Sequence, residues 1–119
     1  MRQGTYISRE KIIRTYKDGK MHSEKHPAMY HYAPNSTFEH WYKNGVLHRV
    51  GGPAIHTYDY GFEHFYWYQN GLQHREDGPA VVWTREGVIS LVDWCLLGKH
   101  IPKCKSVADL KRFKLKAFL

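Results

Sequence analysis

Hydrophobic and aromatic residues fall in short alternating runs, each closed by a turn that carries Gly or Asn. Runs 38–42, 54–58, 62–68 and 80–84 are of this kind, and 12–16 and 88–94 fill the same slot before the first and last turns. All are rich in Thr, Tyr, Phe, Trp, Val and Ile, which fit a pleated, half-buried surface. Asp18-Gly19, Asn44-Gly45 and Asn70-Gly71 supply hairpin turns, because both central residues tolerate positive φ. Gly52-Pro53-Ala54 and Gly78-Pro79-Ala80 place Pro where a strand begins, a position that breaks no ladder.

The runs recur. Shifted by 26 residues, the chain aligns Tyr16, Tyr42 and Tyr68; Gly19, Gly45 and Gly71; His22, His48 and His74; Pro27, Pro53 and Pro79; and Ala28, Ala54 and Ala80. A second punctuation mark falls at Asn35, Gly61 and Gly87. In a partial fourth copy Trp94, Gly98 and His100 echo Trp67, Gly71 and His74, with Gly98 one residue late, which predicts a bulge before it. The expected organisation is one domain, 1–119, with repeats over 12–41, 42–67 and 68–93 and a partial copy over 94–102. Each 26-mer predicts about two strands and two turns, so the sheet grows by one hairpin per repeat.

The C-terminus changes period. Ser106 and Asp109 form a capping-box pattern. Val107, Leu110, Phe113, Ala117 and Phe118 then share one side of a basic helix over 106–118, with Lys111, Arg112 and Lys116 largely elsewhere. The fold class expected is mainly β, an antiparallel hairpin-repeat sheet with a C-terminal capping α-helix. Such a cap hides a raw sheet end.

Composition adds charge and aromaticity. The 119 residues carry 18 Lys and Arg against 11 Asp and Glu, a formal +7, and 15% aromatics. Seven cations (Lys99, Lys103, Lys105, Lys111, Arg112, Lys114 and Lys116) face one acid, Asp109, in the tail, so the repeats themselves are close to neutral. No apolar run is long enough to span a membrane, and no charged-then-apolar leader opens the chain. Two cysteines are too few for a disulfide scaffold, and a reducing cytoplasm is the expected location.

The stretch from Trp41-Tyr42-Lys43-Asn44-Gly45 through His48-Arg49 to Gly52-Pro53-Ala54, and the fuller Trp67-Tyr68-Gln69-Asn70-Gly71 to His74-Arg75-Glu76-Asp77-Gly78-Pro79-Ala80, resemble the W-Y-x-N-G-x-x-H-R-x-D-G-P-A repeats of bacteriophage and large-virus proteins. They are also similar to variant MORN repeats. The resemblance covers about residues 12–102 and implies a MORN-like single-sheet hairpin array. It also implies an accessory role, in host interaction or against host defence. The first copy departs from it, with Ser23 for Arg and Lys25-His26 for Asp-Gly; the second has Val50-Gly51 where the third has Glu76-Asp77.

His74-Arg75-Glu76-Asp77 sets an acid, a base and a cation side by side. A residue type repeated in every hairpin usually shapes a turn or braces a neighbouring copy, and catalysis needs one asymmetric site. Alternation along 62–68 puts Phe62, His64, Tyr66 and Tyr68 on one face and Glu63, Phe65 and Trp67 on the other. Trp41 joins Trp67, and Tyr42 joins Tyr68. Aromatic rows on both faces, interleaved with Lys and Arg, suit a wet contact surface for an anion. The expected function is non-enzymatic binding of an anionic ligand, either a nucleotide signal or an acidic protein surface. The candidate residues are Tyr42, Arg49, Trp67, Tyr68, His74 and Arg75, and no cofactor is expected.

The alternatives are a nucleic-acid-binding module and a phosphodiesterase using His74, Arg75 and Asp77. Nothing resembling a helix-turn-helix, zinc finger or RNP string supports the former. No metal is expected. Equivalent histidines of the ladder lie about 9.5 Å apart by strand spacing, too far to share an ion. Cys95, His100 and Cys104 lack a fourth ligand. A thin one-layer sheet also suggests a homo-oligomer.

Overall fold

The computed structural model describes residues 1–118. In chain order the strands begin with β1 (Gly4–Ile7), β2 (Ile13–Lys17), β3 (Lys20–Met21), β4 (Met29–Ala33) and β5 (Ser36–His40). β6 (Tyr42–Lys43), β7 (Val46–Leu47), β8 (Ile55–Asp59), β9 (Phe62–Tyr66) and β10 (Tyr68–Gln69) follow. The chain ends with β11 (Leu72–Gln73), β12 (Val81–Arg85), β13 (Val88–Asp93), β14 (Cys95–Leu96), β15 (Lys99–His100) and the helix α1 (Val107–Phe118). The fold is mainly β, with antiparallel hairpins and one C-terminal helix.

Two kinds of hairpin alternate. The longer strands form one antiparallel sheet in the order β1-β2-β4-β5-β8-β9-β12-β13, with β3 added to β2. The short pairs β6-β7, β10-β11 and β14-β15 stand apart from it. The Asn-Gly turns 44–45 and 70–71 tip the short pairs, while Tyr60-Gly61 and Glu86-Gly87 turn the long ones. All eight of these residues have positive φ, the geometry that matches hairpin twist. A 26-residue unit therefore contains four strands rather than two.

The long runs break where continuous alternation was expected. Strand β9 ends at Tyr66 and β10 begins at Tyr68; β5 ends at His40 and β6 begins at Tyr42. At each break the Trp N–H leaves the ladder for an alanine carbonyl, Trp41 to Ala54 at 2.7 Å and Trp67 to Ala80 at 2.8 Å. Ala28, Ala54 and Ala80 are fully buried there.

The bulge that the late Gly98 predicts lies in β13, where Ser90 falls between the Trp83–Leu91 and Thr84–Ile89 pairs. It shifts the fourth copy. Ile101 N–H bonds to Trp94 O at 2.8 Å as His74 N–H bonds to Trp67 O at 3.0 Å. Ile101, and not His100, therefore holds the histidine slot; His100 instead pairs across the strand with Cys95.

The molecule is thin, 48 × 35 × 18 Å, with a radius of gyration of 16.0 Å against about 13.5 Å for a compact chain of this length. One layer leaves little to bury. The apolar cluster is Trp94, Ile101 and Leu110, joined by Leu96, Cys104, Val107 and Phe113, where α1 closes over the last short pair. Ser106 Oγ accepts the Asp109 N–H at 3.1 Å, and the Asp109 carboxylate accepts the Lys105 N–H at 2.9 Å, capping the helix start. The Ala117 and Phe118 side chains of the expected apolar face lie outside the described residues. At the far edge, β13 exposes Val88 and Ile89. No described helix is long and apolar enough to cross a membrane.

Full burial of the alanines gives the first prediction. Ala54→Val should destabilise the protein by about 1–3 kcal/mol by overpacking, whereas Val50→Ala, at an exposed position, should stay within about 0.5 kcal/mol. Urea unfolding measures both.

Candidate functional site

Each short pair is fastened to the next by an imidazole. His22 Nδ1 accepts the Asn44 N–H, His48 Nδ1 the Asn70 N–H and His74 Nδ1 the Leu97 N–H, each at 2.9 Å. Backbone bonds run alongside: Gly45 to Met21 at 2.9 Å, Gly71 to Leu47 at 2.8 Å and Gly98 to Gln73 at 2.7 Å. With Nδ1 accepting, the neutral ring carries its proton on Nε2. His22 and His74 turn that edge toward Glu24 and Glu76, at 3.5 and 3.9 Å.

The arginines beside His48 and His74 are enclosed. Arg49 lies over the Trp41 ring at 4.0 Å and Arg75 over the Trp67 ring at 3.9 Å. A glycine also packs against each guanidinium. A Cβ on Gly52 would come 2.8 Å from the Arg49 Cζ, and one on Gly78 would come 2.6 Å from the Arg75 Cζ. Nη1 then donates to the following proline carbonyl, Arg49 to Pro53 O at 3.2 Å and Arg75 to Pro79 O at 3.1 Å. Each guanidinium is thus packed against both an indole and a glycine, and holds the proline carbonyl through Nη1.

The two edges differ in charge. Arg75 Nε donates to Asp77 at 2.9 Å, whereas Gly51 occupies the corresponding place beside Arg49. Lys114 pairs with Glu76 and holds its carboxyl below the ordinary range. Both acids near Arg75 are thus engaged, and Arg49 keeps an unneutralised charge among the described residues.

Three of the six candidates share one open groove of about 490 Å³, where Arg49, Trp67 and Arg75 line the space between successive copies. A second groove, of about 390 Å³, sets Arg49 beside Trp41, Lys43 and His48. His74 faces a third, next to α1. Tyr42 and Tyr68 line none of these: the Tyr42 ring lies 6.3 Å from that of His40, and the Tyr68 hydroxyl accepts from Gln73 Nε2 at 3.2 Å. The six candidates leave out Trp41, Lys43 and His48, which line the second groove. A signal was present, because the Trp and Arg slots change together. They hold Thr15 with Ser23, then Trp41 with Arg49 and Trp67 with Arg75, and finally Trp94 with Pro102, where α1 covers the indole.

Burial also tunes two rings. Burial holds the His40 pKa below the ordinary value; burial and then Lys43 do the same for His48. Of the tail trio, Cys95 and His100 meet but Cys104 does not; its thiol reaches Ser106 O at 3.5 Å. No protein-family model, curated protein or solved structure matches the chain.

Two predictions follow from these contacts. Arg75→Ala should cost about 1–2 kcal/mol, the cation–π contact plus one hydrogen bond. Gly78→Ala should cost a similar amount by displacing the guanidinium. The double variant should be no worse than Arg75→Ala alone; additive losses in chemical unfolding would refute the enclosure.

Because His40 and His48 titrate below their unfolded value of about 6.5, their contribution is complete above that pH and declines as pH falls through it. The melting temperature should drop between pH 7 and 5, and less steeply in His48→Gln, whose amide oxygen can still accept the Asn70 N–H. An unchanged slope would exclude His48 as a source.

Proposed function

We propose that this chain is a non-enzymatic binding protein, a MORN-like array of 26-residue hairpin repeats that docks a carboxylate-rich partner along its row of arginine-lined grooves. The observation that carries the reading is the enclosure of Arg49. Trp41 and Gly52 pack against its guanidinium, and no carboxylate pairs with it among the described residues. A base cannot stack on a covered face, but a carboxylate can accept from an exposed edge. An acidic protein surface therefore suits the groove better than a nucleotide. Lys43 adds a second cation beside Arg49.

Binding is favoured over hydrolysis because His74 is 9% exposed and its Nδ1 is occupied by the Leu97 N–H, which leaves no free base at that nitrogen. The resemblance of the repeat string to phage and large-virus proteins supports an accessory, host-directed role. Each exposed ion pair contributes about 0.2–1 kcal/mol, so affinity has to come from several grooves at once and has to weaken with salt.

Binding of the full chain to poly-glutamate, to mononucleotides and to single-stranded DNA, at low and high salt, tests this. Poly-glutamate should bind in low salt, and Arg49→Ala should weaken it about fivefold, ~1 kcal/mol. Selective heat with a nucleotide, or poly-glutamate binding indifferent to Arg49 and Lys43 substitution, would overturn the proposal.

A further inference from the structure

The last short pair and the strand before it depart from the earlier units at three positions that face one another. Asp93 ends β13, Cys95 opens β14 and His100 ends β15 as the cross-strand partner of Cys95. Asp93 Oδ, Cys95 Sγ and His100 Nδ1 all lie within 4.8 Å of one another. One unit earlier in the chain the corresponding places hold Tyr66, Tyr68 and Gln73. The repeat therefore does not impose this chemistry; the trio belongs to the terminal hairpin alone.

We propose that Asp93, Cys95 and His100 form a zinc-binding site, with Gln73 Oε1 or a water in the fourth position. The donor set is one thiolate, one imidazole nitrogen and one carboxylate oxygen, the borderline N/S/O mixture that Zn²⁺ takes. The spacing agrees. With Zn–S ~2.3 Å and Zn–O ~2.0 Å, a tetrahedral edge between sulfur and oxygen is ~3.5 Å. Cys95 Sγ lies 3.7 Å from Asp93 Oδ2 and 3.5 Å from Gln73 Oε1. His100 Nδ1 contacts the other Asp93 oxygen, Oδ1, and its ring is 62% exposed, free to rotate onto an ion.

Cys95 is 2% exposed, and burial beside Asp93 raises its thiol pKa to about 11. A cation at the centre reverses that balance: the thiol proton passes to solvent as the Zn–S bond forms. The ion would clamp β14 and β15 to the end of β13, just past the bulge. Through Gln73 it would also reach the preceding short pair.

Titration of the metal-stripped full chain with Co²⁺, followed by displacement with Zn²⁺, tests the site. The expected result is one equivalent bound, with tetrahedral d–d absorption and a thiolate-to-cobalt charge-transfer band. Cys95→Ser should abolish the band, and His100→Ala, at an exposed position whose loss leaves the core untouched, should weaken binding by roughly 100-fold or more. Cys104→Ser should change nothing. No Co²⁺ binding at micromolar metal, octahedral spectra without the thiolate band, or a band lost with Cys104 rather than Cys95 would each overturn the assignment.

Discussion

A single-layer array has no opposite layer to press against, so each hairpin must be held by its neighbours, and one imidazole nitrogen makes the repeated join. His22, His48 and His74 each offer Nδ1 to the turn N–H of the next short pair. That N–H sits where the left-handed turn has turned it away from its own hairpin. The bond spans 22 or 23 residues of sequence, yet it joins one hairpin to the next. These junctions join only neighbouring hairpins, which accords with the thinness of the molecule.

The second constraint is the small buried space at each strand break. The chain leaves the long ladder at Trp41 and Trp67, and the freed N–H must find a carbonyl. Ala54 and Ala80 supply one, and their side chains are fully buried there. The indole thus brought to the surface is covered by an arginine, and the arginine by a glycine, so three slots of the motif act as one unit. Residues that look like an active-site string serve first to build the turn. The copies differ at the guanidinium, because Asp77 pairs with Arg75 while Gly51 stands at the corresponding place beside Arg49.

The end of the array obeys other rules. With no further copy to follow, Ile101 replaces the histidine and α1 replaces the arginine over Trp94. The extra residue at Ser90 resets the register, which brings Asp93, Cys95 and His100 to one point. The polar chemistry least like the repeat thus gathers where the repeat stops.

The hairpin turns, the bulge before Gly98 and the helix cap were legible in the sequence. Each follows from local rules: positive φ at Asn-Gly, a one-residue delay in spacing, a Ser-x-x-Asp cap. Alternation was legible too, but it failed at Trp41 and Trp67, because a period of two carries no mark for a strand that ends without a Gly or Pro. For the same reason Tyr42 and Tyr68 moved away from the grooves, while Trp41, Lys43 and His48 entered them. Sequence alone determined the turns, the charge asymmetry and the β character. Only the tertiary structure decided which nitrogen of each histidine is occupied, which faces of each arginine are covered, and that Asp93 rather than Cys104 joins Cys95 and His100. Those outcomes depend on contacts between residues a full unit or a bulge apart, where spacing in the chain says nothing about distance in space.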